Sequence, residues 1–313
     1  MLAKTRIDKQ SCRGGLLAVD KPSGMTSHDV VATIRSHVRP LKVGHTGTLD
    51  PIASGLLILC LGEATKIAGF IEGRHKRYRA VMLLGTRTDT QDVTGEIVAR
   101  SPTESVTEHE IHEVARSFVG KIEQRPPVFS AIKIGGVHAY ELARRRENVQ
   151  LQPRQVEIVR LEITHVRLPR VDLLVECSKG TYIRTLCHDF GEALGVGGCL
   201  ESLRRHEIGH FKLADARPLA ELNEREVIIR ALLPTAEALA HMPSVSCDIE
   251  QAKRLAHGMP VAVGEQVAPP ELEGSWARAL GPDGELIAVG KLSRKDSGVL
   301  FYPKRVLACE QGQ

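Results

Sequence analysis

The longest uninterrupted apolar run in the chain is the six residues 56–61, Leu-Leu-Ile-Leu-Cys-Leu. A helix that crosses a bilayer needs about 20 such residues, so no transmembrane helix is expected, and the core must be gathered from many short segments. Hydrophobic residues make up 42% and charged residues 26% of the chain, an ordinary globular mixture that excludes collagen-like, wholly disordered and coiled-coil architectures. At about 150 residues per domain, 313 residues correspond to two domains, or to one large domain with a small one attached. The opening MLAKTRIDKQ carries basic residues with no apolar stretch behind them, so it does not read as a secretory signal and the expected compartment is the cytoplasm.

Seven cysteines, at positions 12, 60, 177, 187, 199, 247 and 309, are an odd number without a CxxC pair. That spacing argues against a disulfide framework and against a zinc ribbon. Reduced, mostly buried thiols and no metal are expected.

Along the chain, residues 15–20 read as a short buried strand that ends in the turn Lys21-Pro22-Ser23-Gly24. Ser27 or Asp29 is placed to cap a helix through about His37, with Val30, Val31 and Ile34 on its apolar face, and Pro40 closes it. A loop with two glycines, residues 43–51, precedes the apolar run, and a helix is expected over 63–70. Residues 78–85 and 95–99 look like paired strands around a polar segment. Residues 107–119 have helical spacing, with Thr107 and Glu110 forming a capping box. Residues 124–150 differ in kind: Pro126-Pro127, Gly135-Gly136 and a basic helix around Tyr140 suit a mobile insertion that folds over a ligand. Strands over 156–166 and 171–177 lead, through Ser178-Lys179-Gly180, to a helix from Thr181 towards Leu194. Strands and helices without a regular βα alternation predict an α+β fold with a mixed, mainly antiparallel sheet. After Met242, one capped helix over 248–258 and strands over 260–263, 275–280, 284–292 and 299–307 suggest a small C-terminal β-barrel.

The net charge of +4 hints only weakly at an anionic partner, but its distribution says more. Residues 1–80 carry thirteen Lys and Arg against six Asp and Glu, whereas 201–250 carry six against nine. Two basic clusters, Arg74-His75-Lys76-Arg77-Tyr78-Arg79 and Arg144-Arg145-Arg146, read either as solvated faces or as contacts to a phosphate backbone. With aromatic residues at only 4%, recognition by stacking many single-stranded bases is a poor fit, and shape and backbone contacts must dominate.

Neither GxxxxGK[ST] nor GxGxxG occurs in the glycine-bearing segment 44–55. Its informative residue is Asp50, between Leu49 and Pro51. That acid reads either as a helix N-cap with Pro51 at the first helical position or as an ionised carboxylate held in a tight loop, available as a nucleophile. A desolvated carboxylate stays charged only beside a cation, and Arg184 is a candidate for that cation. His188-Asp189 resembles an acid–base pair but lacks a nucleophile partner.

Four strings, Lys21-Pro22-Ser23-Gly24-Met25-Thr26-Ser27, Gly44-His45-Thr46-Gly47-Thr48-Leu49-Asp50-Pro51, Lys76-Arg77-Tyr78 and Lys179-Gly180-Thr181-Tyr182-Ile183-Arg184, follow one another in the order of the motifs of the TruB family of bacterial tRNA pseudouridine synthases. Pro126-Pro127-Val128-Phe129-Ser130-Ala131-Ile132-Lys133 resembles the start of that family's thumb-like insertion, and the match runs over about residues 15–210. The C-terminal segment is more loosely similar to a PUA-type RNA-binding barrel. The resemblance implies a catalytic domain of pseudouridine synthase type over 1–242, with the thumb at about 124–152, and a PUA-like domain over 243–313. It implies isomerisation of uridine 55 in the tRNA T loop to pseudouridine, without metal or organic cofactor, by a protein that acts as a monomer, away from membranes and with no obligate protein partner. Asp50 is then the catalytic carboxylate, Arg184 its ion-pair partner, and Tyr78 stacks on the uracil and assists proton transfer. The target nucleotide must be flipped out, with His45 near the vacated position. Lys21, Lys66 and Lys133 are implied to touch RNA or brace the site, Asp92 to lie near the nucleotide, and Tyr182 to pack beneath it. Two other readings share these motifs: a non-catalytic tRNA-folding chaperone and a guide-RNA-dependent pseudouridine synthase.

Overall fold

The computed structural model describes residues 14–130, 132–145, 147, 149–264, 274–295 and 298–307. Cys12, Cys309, Ala131, Arg146, the opening decapeptide and the side chain of Arg144 lie outside the described residues. The chain divides into two compact units: Met1–Asp50, Leu57–Glu72 and Asp215–Gln313 form one, and Pro51–Leu56 with Gly73–Ala214 form the other.

In the first unit, β1 (Gly14–Lys21) is buried along most of its length and leads into α1 (Ser27–His37). The cap of α1 is neither Ser27 nor Asp29 but Thr26, whose side chain accepts from the Asp29 amide while the Asp29 carboxylate accepts from the Thr26 amide. The two expected residues are otherwise employed, Asp29 as the far half of this capping box and Ser27 on Leu49. Val30, Val31 and Ile34 are buried as expected. Next come β2 (Val43–His45) and β3 (Ala53–Gly62), paired antiparallel with Val43 opposite Leu61 and His45 opposite Leu59. The apolar run 56–61 is thus a strand, every residue of it buried. No helix follows Asp50, which rules out the N-cap reading: Pro51 and Ile52 form a turn directly into β3. The helix expected over 63–70 begins as a 3-10 turn, Glu63–Ile67, and continues as α2 (Ala68–Glu72).

The second unit is built on β4 (Lys76–Leu84). The short β5 (Thr86–Thr88) and β6 (Ile97–Arg100), α3 (Glu108–Ser117) and β7 (Gly120–Gln124) follow it. The insertion then contributes a hairpin of β8 (Lys133–Ile134) and β9 (Val137–His138) and the helix α4 (Ala139–Arg144). The chain continues through β10 (Arg154–Arg167), β11 (Arg170–Cys177), α5 (Ile183–Ala193), β12 (Gly198–Ile208) and β13 (Phe211–Lys212). The sheet order β12-β4-β11-β10-β7 is antiparallel throughout, and Ala53–Gly55 of β3 add to β12 in parallel, so the sheet is mixed and mainly antiparallel. The expected pairing of 78–85 with 95–99 does not occur. A nine-residue strand with one buried face takes the long strands β11 and β12 as neighbours, while the largely exposed β6 pairs with β5.

From residue 215 the chain adds β14 (Arg217–Pro218), parallel to β1, and two short helices, α6 (Arg225–Arg230) and α7 (Thr235–Ala238). The remainder is β15 (Ser244–Ser246), α8 (Ile249–Ala256), β16 (Val261–Val263), β17 (Trp276–Leu280), β18 (Leu286–Lys295) and β19 (Gly298–Val306). Five strands in the order β15-β17-β18-β19-β16 form a curled half-barrel, with β15 as a strand the sequence reading did not foresee. The turn at 282–284 between β17 and β18 is present, closed by the Gly284 amide on the Gly281 carbonyl. Val245, Leu255, Ala277, Leu292 and Phe301 are among the residues of its own apolar core. The fold is α+β, and among the described residues no helix is long and apolar enough to cross a membrane.

Candidate active site

In the first unit, four of the implied site residues are set by local geometry. The Lys21 ammonium is fully buried and donates to the carbonyls of Pro22 (2.8 Å) and Met25 (2.6 Å), closing the turn after β1. Buried charge persists only where dipoles replace water, and these carbonyls do so. Buried Ser27 at the start of α1 grips Leu49 twice, accepting from its amide at 2.8 Å and donating to its carbonyl at 3.1 Å. Thr46, also buried, anchors the same loop to Ile58 on β3 through its amide at 3.0 Å. Asp50, half-buried, is therefore peptide-bonded to a residue whose backbone is clamped on both sides. His45 ends β2, and its Nδ1 accepts from the Gly47 amide at 3.3 Å, so in the neutral ring the proton sits on Nε2. Lys66 is used differently: its ammonium donates to Glu63 and, at 2.8 Å, to the carbonyl of Val306 at the end of β19.

In the second unit, Tyr78 projects from the buried face of β4 and is 6% exposed, with Val175 of β11 and Arg205 of β12 as its cross-strand neighbours. Arg205 is buried and donates from Nε to the Leu56 carbonyl at 2.7 Å. Strand alternation divides the basic run 74–79. Lys76 points inward with Tyr78, whereas Arg77 lies on the other face between Glu176 (3.2 Å) and Glu207 (3.1 Å). That run is therefore not one continuous cationic surface.

Arg184, in the first turn of α5, is 4% exposed. Its Nη1 donates to the Thr90 carbonyl at 2.9 Å, its Nη2 to the Phe129 carbonyl at 2.9 Å, and Nη1 lies 3.6 Å from a carboxylate oxygen of Asp92. The other Asp92 oxygen accepts from the Thr90 hydroxyl (3.0 Å), the Thr94 amide (3.0 Å) and the Thr94 hydroxyl. The structure thus brings Arg184 and Asp92 together. Between Thr90 and Asp92, Gln91 has a left-handed backbone (φ 64°), an uncommon conformation for a side chain of its size. It is held by the Thr185 hydroxyl on its Oε1 (2.8 Å) and by the Leu200 amide on its carbonyl (3.0 Å). Tyr182 is the N-cap residue of α5, and the side chain of Gln124 bonds its peptide groups. Lys133 is exposed on the β8–β9 hairpin.

Gln91, Thr185 and Gln124 were missed by sequence reasoning. The one available signal was local: Gln124 stands two residues before Pro126-Pro127, where the texture of the sequence changes. The thiols behave as expected where they are described. Cys60, Cys177, Cys187, Cys199 and Cys247 are free and buried. Burial pushes Cys60 up to about 12 and Cys177 and Cys199 up to about 11, which favours the protonated thiol over the thiolate. Burial also raises the carboxyl of Asp189, next to His188 on α5. No group of His, Cys, Asp and Glu among the described residues could hold a metal ion.

A mixed, mainly antiparallel sheet flanked by helices, with a curled five-stranded sheet at the C-terminal end of the chain, is a scaffold of the pseudouridine synthase class. The family model described as TruB family pseudouridylate synthase, N-terminal domain, matches residues 35–183, and that of the tRNA pseudouridylate synthase B C-terminal domain matches 184–241. The tRNA pseudouridine synthase B of Heliobacterium mobile is 40% identical over 298 residues, covering 94% of this chain and 94% of its own. That of Geotalea uraniireducens is 46% identical over 248 residues, 78% of this chain and 80% of its own. Among solved structures, a Cbf5-Nop10-Gar1 complex is similar with a TM-score of 0.73 and 28% identity over 96% of this chain and 87% of the other. An H/ACA ribonucleoprotein bound to a substrate RNA containing 2′-deoxyuridine gives 0.72 and 25%, over 97% and 88%. The chain belongs to the TruB family of tRNA pseudouridine synthases.

Proposed function

We propose that this chain converts uridine 55 in the T loop of tRNA to pseudouridine, with Asp50 as the catalytic carboxylate. It forms pseudouridine in tRNA; the position follows from the family. The reaction breaks the N1–C1′ bond, turns the uracil while it stays bound, joins C5 to C1′ and, in net, transfers the C5 proton to N1, so no atom is gained or lost. Nothing in that balance asks for a cofactor. The observation that carries the reading is the pair of Ser27–Leu49 hydrogen bonds, which hold the backbone leading to Asp50 still while the carboxylate stays only half-buried.

The remaining roles are assigned by the chemistry each side chain can do. A carboxylate in a water-poor site needs a cation to stay ionised, and the family motif gives that task to Arg184, which is buried. Tyr78, buried on β4, offers a ring face to the flipped uracil and a hydroxyl to proton transfer. His45 stands in for the displaced base and contacts the T arm through Nε2–H. Asp92 orients Arg184 near the nucleotide, Lys21 braces the turn before α1, Tyr182 supports the start of α5 and Lys133 meets backbone phosphate. Lys66, its ammonium taken up by Glu63 and Val306, braces rather than binds. We divide the chain into a catalytic domain over 1–242, with its thumb at 124–152, and a PUA-like domain over 243–313, working as a monomer in the cytoplasm.

Purified protein is assayed on an unmodified tRNA transcript, with pseudouridine mapped by position, for the wild type and Asp50→Asn together. Modification at the T-loop uridine by the wild type, with a loss on the order of 10⁴-fold or more in Asp50→Asn and little change in tRNA binding, is the expected result. Binding without modification in both proteins moves the non-catalytic tRNA-folding reading to first place. Modification elsewhere corrects the site.

A further inference from the structure

The insertion that follows β7 and the helix that carries Arg184 are far apart in sequence, yet they are stitched together at two points. Gln124 is the last residue of β7, pairs with Arg154 of β10 at the place where the insertion leaves and returns, and is 1% exposed. Its side-chain amide forms a closed pair of hydrogen bonds with the Tyr182 backbone: Nε2 donates to the Tyr182 carbonyl at 3.0 Å, and Oε1 accepts from the Tyr182 amide at 2.7 Å. Tyr182 stands at the N-cap of α5 and makes no side-chain cap of its own. The first amides of a helix have no partner within it, so the Gln124 amide fixes the point from which α5 starts. Five residues further on, the Phe129 carbonyl accepts from Nη2 of Arg184. The segment 124–129 therefore holds both the backbone from which the arginine springs and one end of its guanidinium.

We propose that Gln124 is a positioning residue for pseudouridine formation: by locking the Tyr182 peptide and bringing the Phe129 carbonyl into place, it sets the aim of the Arg184 guanidinium. The inference rests on the reading of Arg184 given above and adds a residue that touches neither substrate nor the reacting atoms. A buried glutamine is costly to bury unless both ends of its amide are satisfied, and here both ends are spent on the two backbone groups of one residue, the N–H and the C=O that flank the Tyr182 Cα. A leucine or methionine would fill the same volume without that penalty, so packing alone does not account for glutamine at this position.

The test uses the full-length chain with Gln124→Met, which keeps the length and volume of the side chain and removes both hydrogen bonds, and Gln124→Glu, which keeps an acceptor for the Tyr182 amide. Thermal melting and tRNA binding are measured beside the single-turnover rate of pseudouridine formation. The expected result is a fall in that rate of about 10²-fold for Gln124→Met, the loss typical of a misplacement of about 1 Å, with tRNA affinity within about twofold of wild type. Gln124→Glu is expected to lose less, and it carries the test if Gln124→Met does not fold. The decisive measurement is the double variant with Arg184→Lys, because residues that act as one unit are not additive. Gln124→Met should cost less than about twofold on the Arg184→Lys background. A rate within twofold of wild type in both single variants, or losses that multiply in the double variant, overturns the proposal. Full activity in Arg184→Lys alone would instead sink the reading of Arg184, and the inference with it, in an arm that does not involve Gln124.

Discussion

The part of the chain up to residue 214 and the five-stranded C-terminal sheet bury their interiors in different ways. The first encloses Lys21, Lys76, Asp92, Gln124, Arg184 and Arg205, all less than 9% exposed, each with carbonyl, carboxylate or amide partners. In the second, every buried residue among those described is apolar. There, exposed Lys291 lies 5.5 Å from the Trp276 ring and exposed Lys295 lies 5.6 Å from the Tyr302 ring. Buried polar groups cost stability unless every one is paired, so a region that keeps several of them holds them for chemistry or for positioning. The buried polar residues of the larger part are where the proposed chemistry would sit, and the C-terminal sheet has an apolar core of its own.

The largest effect that could break this contrast is on stability. Phe301, fully buried at the centre of the C-terminal core, should cost about 3–5 kcal/mol when cut to alanine, read as early loss of hydrogen-exchange protection confined to residues 244–307. The single-turnover rate on saturating tRNA should remain within a few fold of wild type. A collapse of the rate at temperatures where β4 and α5 are still protected would give the small sheet a part in the chemistry.

A smaller effect asks whether local chemistry is the same in both regions. Thr107 at the start of α3 and Asp248 at the start of α8 both close reciprocal capping boxes, with Glu110 and Gln251 respectively. Thr107→Ala and Asp248→Ala should each cost about 1 kcal/mol in denaturant unfolding, irrespective of region. In the box of α3, the amide and hydroxyl of Thr107 hold the Glu110 carboxyl below its ordinary 4.5. Because the folded value is the lower one, that stabilisation is present above 4.5 and is lost as the pH falls through the depressed value. The stability of Glu110→Gln should therefore converge on that of the wild type in acid, and a gap that is constant with pH would refute the assignment.

The smallest effect concerns adhesion. Removing the charge of Lys291 and of Lys295 should lower the salt slope of tRNA binding by about 1 each if the C-terminal sheet meets phosphates. Arg77→Ala should leave the slope unchanged, because Arg77 is committed to Glu176 and Glu207. The reverse pattern would return the basic run 74–79 to the RNA surface.

Much of this molecule was legible before any coordinates. Two-residue alternation in β10 and β11, the capping box of α3 and the capped start of α8 are local patterns, decided by side chains a few residues apart, and they emerge where they were expected. The motif strings likewise supplied Asp50, Tyr78 and Arg184 as the candidates on which the proposed function rests. Expectations failed where a residue was claimed by a distant partner. Ser27 was free to cap α1 until Leu49 took its hydroxyl, Arg77 was one of a basic run until β11 and β12 brought two glutamates beside it, and 78–85 chose its strand neighbours from the far half of the unit.

The sequence by itself determined the class of protein, most of the run of strands and helices, and the candidate side chains proposed for the chemistry, because each depends on residue type and short spacing. Only the tertiary structure decided how Arg184 is held, between a carbonyl 94 positions before it, another 55 positions before it, and the carboxylate of Asp92. It also decided that Gln124 locks the Tyr182 peptide 58 positions away. A backbone carbonyl is the same group in every residue, so no letter of the sequence marks the one that will face a guanidinium; folding selects it.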